Sequence, residues 1–275
     1  MTTSCDIGRL SEISKTIRRE ILELIYRTRS PHIGPSFSIV EVLVALYFKY
    51  LNVDPADPSK ADRDRLIMSK GHACLTLYTV LKERGFLSAD DLKGFAKNGG
   101  TLEQHPNRDV SKGIELSTGS LGHGLSVGAG MAFAAKKDGK KQRVFVILGD
   151  GELNEGAIWE AVMFASQHKL NNLVSVVDCN GMQALGYTKD IIDLAHLSDT
   201  WKSFGWAVRE VNGHNLAEVC TSLEGLPFSE DKPNVILART VKGKGVSFME
   251  NKLLWHYRAP DEREYEAAIK ELNNA

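Results

Sequence analysis

The sequence predicts an α/β fold: a parallel sheet with helices on both faces. Three observations carry that prediction. From residue 144 onward, short apolar runs alternate regularly with helical segments, the pattern of parallel strands joined by crossover helices. The first run, Val144-Phe145-Val146-Ile147-Leu148, is continuous and rich in β-branched residues. Asp150, Asn180 and His72 all fall just beyond predicted strands, where open α/β sheets bind their ligands.

The elements follow in order. Leu10, Ile13, Ile17, Ile21 and Leu24 recur at three- and four-residue steps, one face of a helix. Pro31, Gly34 and Pro35 interrupt it. Ser38 and Glu41 have capping-box spacing, and the ten residues that follow are apolar nearly all round, as in a core or interface helix. The acidic, proline-containing stretch 54–64 is a surface loop feeding a strand at 65–69, which ends in Lys70-Gly71-His72. A helix over about 73–84 and a capped helix from Ser88 come next. Residues 99–118 show no period, and an irregular stretch that long is usually functional or disordered. Residues 119–136, rich in Gly, Ala and Ser, predict a helix lying close to neighbouring backbone. Strands are then expected at 144–148, 173–178, 206–211 and 235–239, with helices at 155–168, 194–204 and 216–223. No repeat or linker divides the chain, so a single domain over 1–275 is expected, ending in a polar helical tail from about 261 to 275.

Composition narrows the function classes. The 275 residues include 34 basic and 35 acidic side chains, so net charge offers nothing to nucleic acid or an anionic membrane. Cys5, Cys74, Cys179 and Cys220 are scattered without a CxxC pair, which argues against a disulfide framework or a zinc finger. The polar first ten residues lack a signal-peptide core, and the longest apolar run is far short of a membrane span. A cytoplasmic protein is expected.

The chemistry concentrates at two strand ends. Gly149-Asp150-Gly151 delivers a carboxylate between glycines, and Asn180 follows in Asp178-Cys179-Asn180-Gly181. Taken singly, each is also what an ordinary turn uses. Side by side at adjacent strand ends, they form a clamp of oxygen ligands for a magnesium or calcium ion carrying a diphosphate. The Met182 carbonyl, two residues past Asn180, is a candidate third ligand.

The surrounding text resembles transketolase. The resemblance rests on Gly149-Asp150-Gly151-Glu152-Leu153-Asn154-Glu155-Gly156 with Trp159-Glu160-Ala161, on Ser69-Lys70-Gly71-His72-Ala73, and on Ser117-Thr118-Gly119-Ser120-Leu121-Gly122. Lys242-Gly243-Lys244-Gly245-Val246 ahead of Trp255-His256 completes it, and the match spans about residues 32–260. It implies thiamine diphosphate as cofactor, with Mg2+ (Ca2+ or Mn2+ as substitutes) held by Asp150, Asn180 and Met182. It implies that His32 binds substrate and moves protons near the cofactor's thiazolium ring, that His72 contacts the diphosphate, and that His105 holds the hydroxyl end of the donor sugar. His256 would reach both the diphosphate and the reacting carbonyl oxygen. Gly119 and Leu121 would place the aminopyrimidine, Gly151 and Asn180 belong to the diphosphate fingerprint, and Glu155 would link two cofactor-holding polypeptides. Histidine suits the chemistry, because ketol transfer puts protons on and takes them off alkoxides near neutral pH. Ile33, His123 and Tyr257-Arg258 depart from the family pattern, which bears on the substrate more than on the cofactor.

Full transketolases carry two further domains. The resemblance therefore implies the N-terminal subunit of a split enzyme, working with a C-terminal subunit that supplies the pyrimidine-binding domain, as a heterotetramer with two chains of each kind. Its reaction would move a two-carbon ketol unit from a ketose phosphate to an aldose. The alternatives are a 2-oxo acid dehydrogenase α subunit or a deoxyxylulose-phosphate synthase-like enzyme, both disfavoured by residues 117–122 and Trp255-His256, and a noncatalytic scaffold of the same fold.

Overall fold

The computed structural model describes residues 4–274, with side chains from Ile7 onward, so Cys5 lies outside the described side chains. The chain opens with α1 (Ser4–Thr28), then α2 (Ile33–Phe37) and α3 (Val40–Ala45), the last continued by a π-helical turn over Leu46–Tyr50. Strand β1 (Arg65–Met68) leads into α4 (Cys74–Arg84) and α5 (Ala89–Lys93). After an irregular stretch come α6 (Gly124–Lys137), β2 (Val144–Gly149), α7 (Gly156–Gln167) and β3 (Leu173–Cys179). The remainder is α8 (Thr188–Ile191), α9 (Leu197–Ser203), β4 (Ala207–Asn212), α10 (Leu216–Glu224), β5 (Asn234–Arg239) and α11 (Glu262–Asn274).

All five strands pair in parallel, in the order β1-β2-β3-β5-β4. The predicted fold class holds. What local pattern cannot give is the exchange of the last two strands: β5 enters the centre of the sheet and β4 takes its edge. Their sequences show why. Five of the six β5 residues are buried, whereas β4 buries only Val211 and exposes Arg209, Glu210 and Asn212. Charged side chains are tolerated at an edge and not between two layers of helix.

Side chains alternate along β2 to form two apolar layers. Phe145 and Ile147 face the layer containing α1, α3, α4 and α10, while Val144, Val146 and Leu148 face the one containing α6, α7 and α9. The glycine-rich helix lies close to neighbouring backbone at Gly124, where a Cβ would come within 3.0 Å of the Ser69 Cα, while at Gly128 it would meet the Val146 side chain at 2.5 Å. It starts later than predicted, at Gly124, because Gly119 and Gly122 take positive φ (147° and 88°) and hold residues 119–122 in a non-helical turn.

One further expectation is corrected. The capping box at Ser38 does not form: Ile39 caps α3 without a side-chain bond, and the Ser38 hydroxyl turns inward to Asp178 Oδ2 at 2.6 Å. Glu41 instead lies between Arg18 and His214. The bond that Ser38 donates to a buried carboxylate is charge-assisted and stronger than one it would accept from a neutral helix N–H. The polar tail, in turn, is α11, which docks on α1 by burying Ala268 and Leu272 and stacking Tyr265 on Tyr26 at 4.2 Å.

Candidate active site

The chemistry gathers at the carboxyl ends of β1, β2 and β3. The register pairs Gly149 with Asp178, so Asp150 and Asn180 leave neighbouring strands side by side. Asp150 is nearly buried, and its carboxylate accepts from the backbone N–H of Gly151 (2.8 Å) and of Gly181 (2.6 Å). Gly181, at φ 75°, makes the turn that aims its N–H there. Asn180 Oδ1 accepts from Met182 N–H at 3.1 Å, which tucks the Met182 backbone into the same corner. No described group of three His, Cys, Asp or Glu side chains forms a metal cluster.

Beneath this corner lies a buried polar hub. Asp178 is fully buried and accepts from Ser38 Oγ (2.6 Å), Asn180 Nδ2 (3.1 Å), Thr240 Oγ1 and the ammonium of Lys70. Burial alone would raise its proton affinity, but Lys70 and these donors hold its carboxyl below the usual range. Glu152, in the turn after β2, has a comparable role. It accepts from Gly122 N–H (3.0 Å), Gly149 N–H (3.1 Å) and Ser69 Oγ, and so ties the 119–122 turn to the end of β2.

Four imidazoles face one another above the hub. His32 lies 5.6 Å from His72, 6.0 Å from His105 and 5.3 Å from His256 between ring centroids, and His72 lies 5.5 Å from His256. His32 adopts φ 77°, an uncommon value for a side chain of this size, and its N–H donates to the His256 carbonyl at 3.0 Å. Strain of this kind persists only where surrounding structure holds it. Gly119 packs against His105, where a Cβ would meet the ring at 3.0 Å.

Burial and nearby ammonium groups keep the His32, His72 and His256 rings neutral. Burial, with the charges of His105, Lys242 and Lys70, lowers His32 to about 4. Burial and the adjacent Lys242 lower His256 to about 3, while burial and Lys70 carry His72 well below the ordinary value. Lys242 is itself brought down to about 8 by burial and by Lys70. It still carries a proton at neutral pH and donates to His256 Nδ1 at 2.8 Å, which leaves the His256 hydrogen on Nε2. Its other neighbours are the carbonyls of Met182 and Gln183, each at 3.4 Å. Asp150 moves the other way: burial and the Asp178 charge raise it to about 6, the signature of a carboxylate without a full counter-charge.

These groups line one cavity of about 310 Å³. His32, His72, His105, Gly119, Leu121, Asp150, Gly151, Asn180, Met182 and His256 all reach it. Glu155 does not: its side chain is exposed, outside the cavity wall, against Gly122. Sequence reasoning missed Lys70, Lys242, Asp178, Glu152 and Gln183. Lys70 and Lys242 were visible as cations directly after β1 and β5; Asp178 and Glu152 are acidic residues whose importance comes from burial, which no local pattern shows. A larger cavity of about 380 Å³ between α1, α4 and α5 holds none of the site's residues.

Comparison with known proteins places this arrangement. Residues 10–272 match the family model described as transketolase, thiamine diphosphate binding domain. A subunit of the apulose-4-phosphate transketolase of Phocaeicola vulgatus is 41% identical over 260 residues, covering 94% of this chain and 92% of that protein. The 6-deoxy-6-sulfo-D-fructose transketolase subunit SqwG of Clostridium sp. is 41% identical over 263 residues, covering 96% of each. Among solved structures, Campylobacter jejuni transketolase superposes with a TM-score of 0.90 at 29% identity, over 97% of this chain but only 43% of that one. The chain thus spans less than half the length of the solved transketolases it matches. It belongs to the transketolase family, and its residues match that family's thiamine diphosphate-binding domain.

Proposed function

We propose that this chain is the N-terminal subunit of a heteromeric transketolase that transfers a two-carbon ketol unit from a ketose to an aldose. The observation that carries this reading is the single cavity in which four imidazoles face Asp150, Asn180 and the Met182 carbonyl. Thiamine diphosphate, when bound, supplies the nucleophilic carbon that adds to the ketose carbonyl and carries the two-carbon unit.

The donor set suits a divalent cation bearing a diphosphate. Asp150, Asn180 and Met182 offer hard oxygen ligands, and Asp150, raised to about 6 by burial and by Asp178, gains from a cation beside it. We assign Mg2+ to that position, with Ca2+ or Mn2+ as substitutes. Lys70, Lys242 and His72 line the same cavity and would face the diphosphate, with Gly151 at the mouth of the clamp. Gly119 and Leu121 would place the aminopyrimidine by backbone contact. His32 and His105, opposite each other, would accept and return protons at the sugar hydroxyls. His256, with its hydrogen on Nε2, would donate to the oxygen of the reacting carbonyl. Exposed Glu155 is placed to meet a second polypeptide rather than this chain's own cavity.

The relatives from P. vulgatus and Actinobacillus succinogenes are each named as one subunit of a transketolase, which implies a partner chain. We assign to that partner the pyrimidine-binding domain, in an assembly of two chains of each kind. The names of the P. vulgatus and Clostridium sp. relatives carry a phosphorylated and a sulfonated sugar, respectively. On that basis the donor class proposed is a ketose with an anionic tail. No described helix is long and apolar enough to cross a membrane, and the buried thiols of Cys74 and Cys179 support a reducing, cytoplasmic setting.

The test is co-expression with the partner chain, followed by assay on a panel of ketose phosphates and sulfonates, with pyruvate as control. Ketol transfer that needs both chains supports the reading. Turnover of pyruvate alone, or no thiamine diphosphate binding by the assembled complex in calorimetry, refutes it.

A further inference from the structure

A second polar cavity, of about 370 Å³, opens at the opposite end of the sheet, beside the amino ends of β1 and β2. Its size falls within the roughly 300–1,000 Å³ of small-ligand pockets. It shares no residue with the site above. Four cations line it against two carboxylates: Arg63, Arg65, Arg108 and Lys140 against Glu115 and Asp138. The carboxylates are already engaged. Glu115 pairs with Arg63, the two being 6% and 5% exposed, and Asp138 pairs with Lys140 at 3.1 Å on the surface.

That leaves positive charge over. Arg65 comes no nearer than 3.9 Å to Glu115 and spends one guanidinium nitrogen on the Arg63 carbonyl at 2.6 Å. Arg108, exposed, makes no ion pair among the described residues. Two buried polar atoms also lack partners: Arg63 Nε, a donor, and Gln142 Oε1. An unpartnered buried donor is costly and is ordinarily met by a ligand or ordered water. A fold has little reason to gather three guanidinium groups at one hollow unless an anion joins them, since like charges there repel. In keeping with this, burial and the Arg63 charge lower the proton affinity of Arg65.

We propose that this cavity is a binding site for a small phosphoryl-bearing anion, held by the Arg63, Arg65 and Arg108 guanidinium groups with Lys140 at its rim. Guanidinium forks match phosphate oxygens in pairs, which sets this ligand apart from a monovalent ion. The site has a connection to the catalytic cavity. Residues 105–119 leave the latter at His105 and return at Gly119, next to Thr118, whose hydroxyl donates to the Met68 carbonyl at 2.8 Å. In between they pass Arg108 and Glu115 at the second cavity. A bound anion would pin the middle of that segment, and with it the approach to His105.

Hydrogen–deuterium exchange on the full chain tests this, with inorganic phosphate and glycerol 3-phosphate as probes and sodium chloride at matched ionic strength as control. Slowed exchange in peptides covering residues 106–116 is expected with at least one probe and not with chloride. Protection by both probes identifies a phosphoryl group as sufficient, and protection by glycerol 3-phosphate alone identifies a phosphomonoester. Arg108→Ala with Lys140→Ala, both at exposed positions, should weaken the effect about tenfold, by loss of one charge-assisted bond. Arg108→Lys, which keeps the charge and removes the fork, should weaken it less. No slowing with either probe, slowing confined to residues 70–72, 180–184 and 242, or equal slowing in the double variant would overturn the proposal.

Discussion

Glu41 and Asp150 are both 7% exposed, yet their surroundings drive them apart. Glu41 accepts two guanidinium N–H groups from Arg18, one at 2.8 Å, and His214 Nδ1 lies 2.9 Å from its Oε2. Burial opposes ionisation there, but Arg18 and His214 overcome it and bring the carboxyl from its ordinary 4.5 down to about 2. Asp150 has only two backbone N–H donors, with Asp178 nearby, and burial carries it up to about 6. Glu41 closes a network that joins α1, α3 and the loops after β4 and β5. Asp150 is left short of positive charge in a cavity open to ligand. With burial equal and compensation unequal, the first carboxylate serves the fold and the second serves what binds.

Breaking the closed network has the largest expected effect. Glu41→Ala strands the Arg18 guanidinium and should lower unfolding free energy by about 3–5 kcal/mol, read by urea denaturation. A loss under about 1 kcal/mol would mean that water replaces the carboxylate at no cost. Acid titration sharpens the same point. Because the folded-state value of about 2 lies below the unfolded value near 4.5, Glu41's stabilisation is complete above pH 4.5 and lost as pH falls toward 2. The gap in stability between wild type and Glu41→Gln should thus shrink by up to about 3 kcal/mol over that window. A gap that does not change with pH would show that packing, not charge, is responsible.

Smaller effects are expected at the catalytic end. Ser38→Ala removes the 2.6 Å bond to Asp178 and should cost about 1.5–3 kcal/mol, the range for a hydrogen bond to a charged group. If Ser38 were instead a helix cap, the loss would be nearer 1 kcal/mol. Asp150→Asn should move stability the other way, by about 1 kcal/mol in the absence of metal at pH 7, because it removes a poorly compensated buried charge. The same variant should lose the rise in melting temperature that magnesium and thiamine diphosphate give the wild type. A variant that is less stable without metal, or that keeps the cofactor-dependent rise, would remove the contrast with Glu41.

Much of this was legible in the chain. The apolar runs of β2 and β3, the glycines around Asp150 and the Asn180-Gly181 turn each state their structure locally, since strand burial and positive φ are written in residue type. Other features depend on partners far away in sequence. Ser38 and Glu41 have capping-box spacing, but Asp178, 140 residues away from Ser38, and Arg18 claim them instead. The polar face of α11 gives little sign that Ala268 and Leu272 dock on α1. Glu152, three residues from the predicted Glu155, is the glutamate that turns inward, because the short 3-10 turn over Gly151–Asn154 aims it at Gly149 and Gly122.

Period, apolar run length and turn residues were enough to establish the class of fold and the strand ends that carry the chemistry. These are short-range signals, and each can be read without knowing what the rest of the chain does. The placement of β5 inside β4, the buried Lys70–Asp178 pair beneath the clamp, and the neutrality of the imidazoles facing Lys242 came only with the packed molecule. Those properties arise from which groups burial brings together and which charges it leaves uncompensated. Chain order alone contains neither.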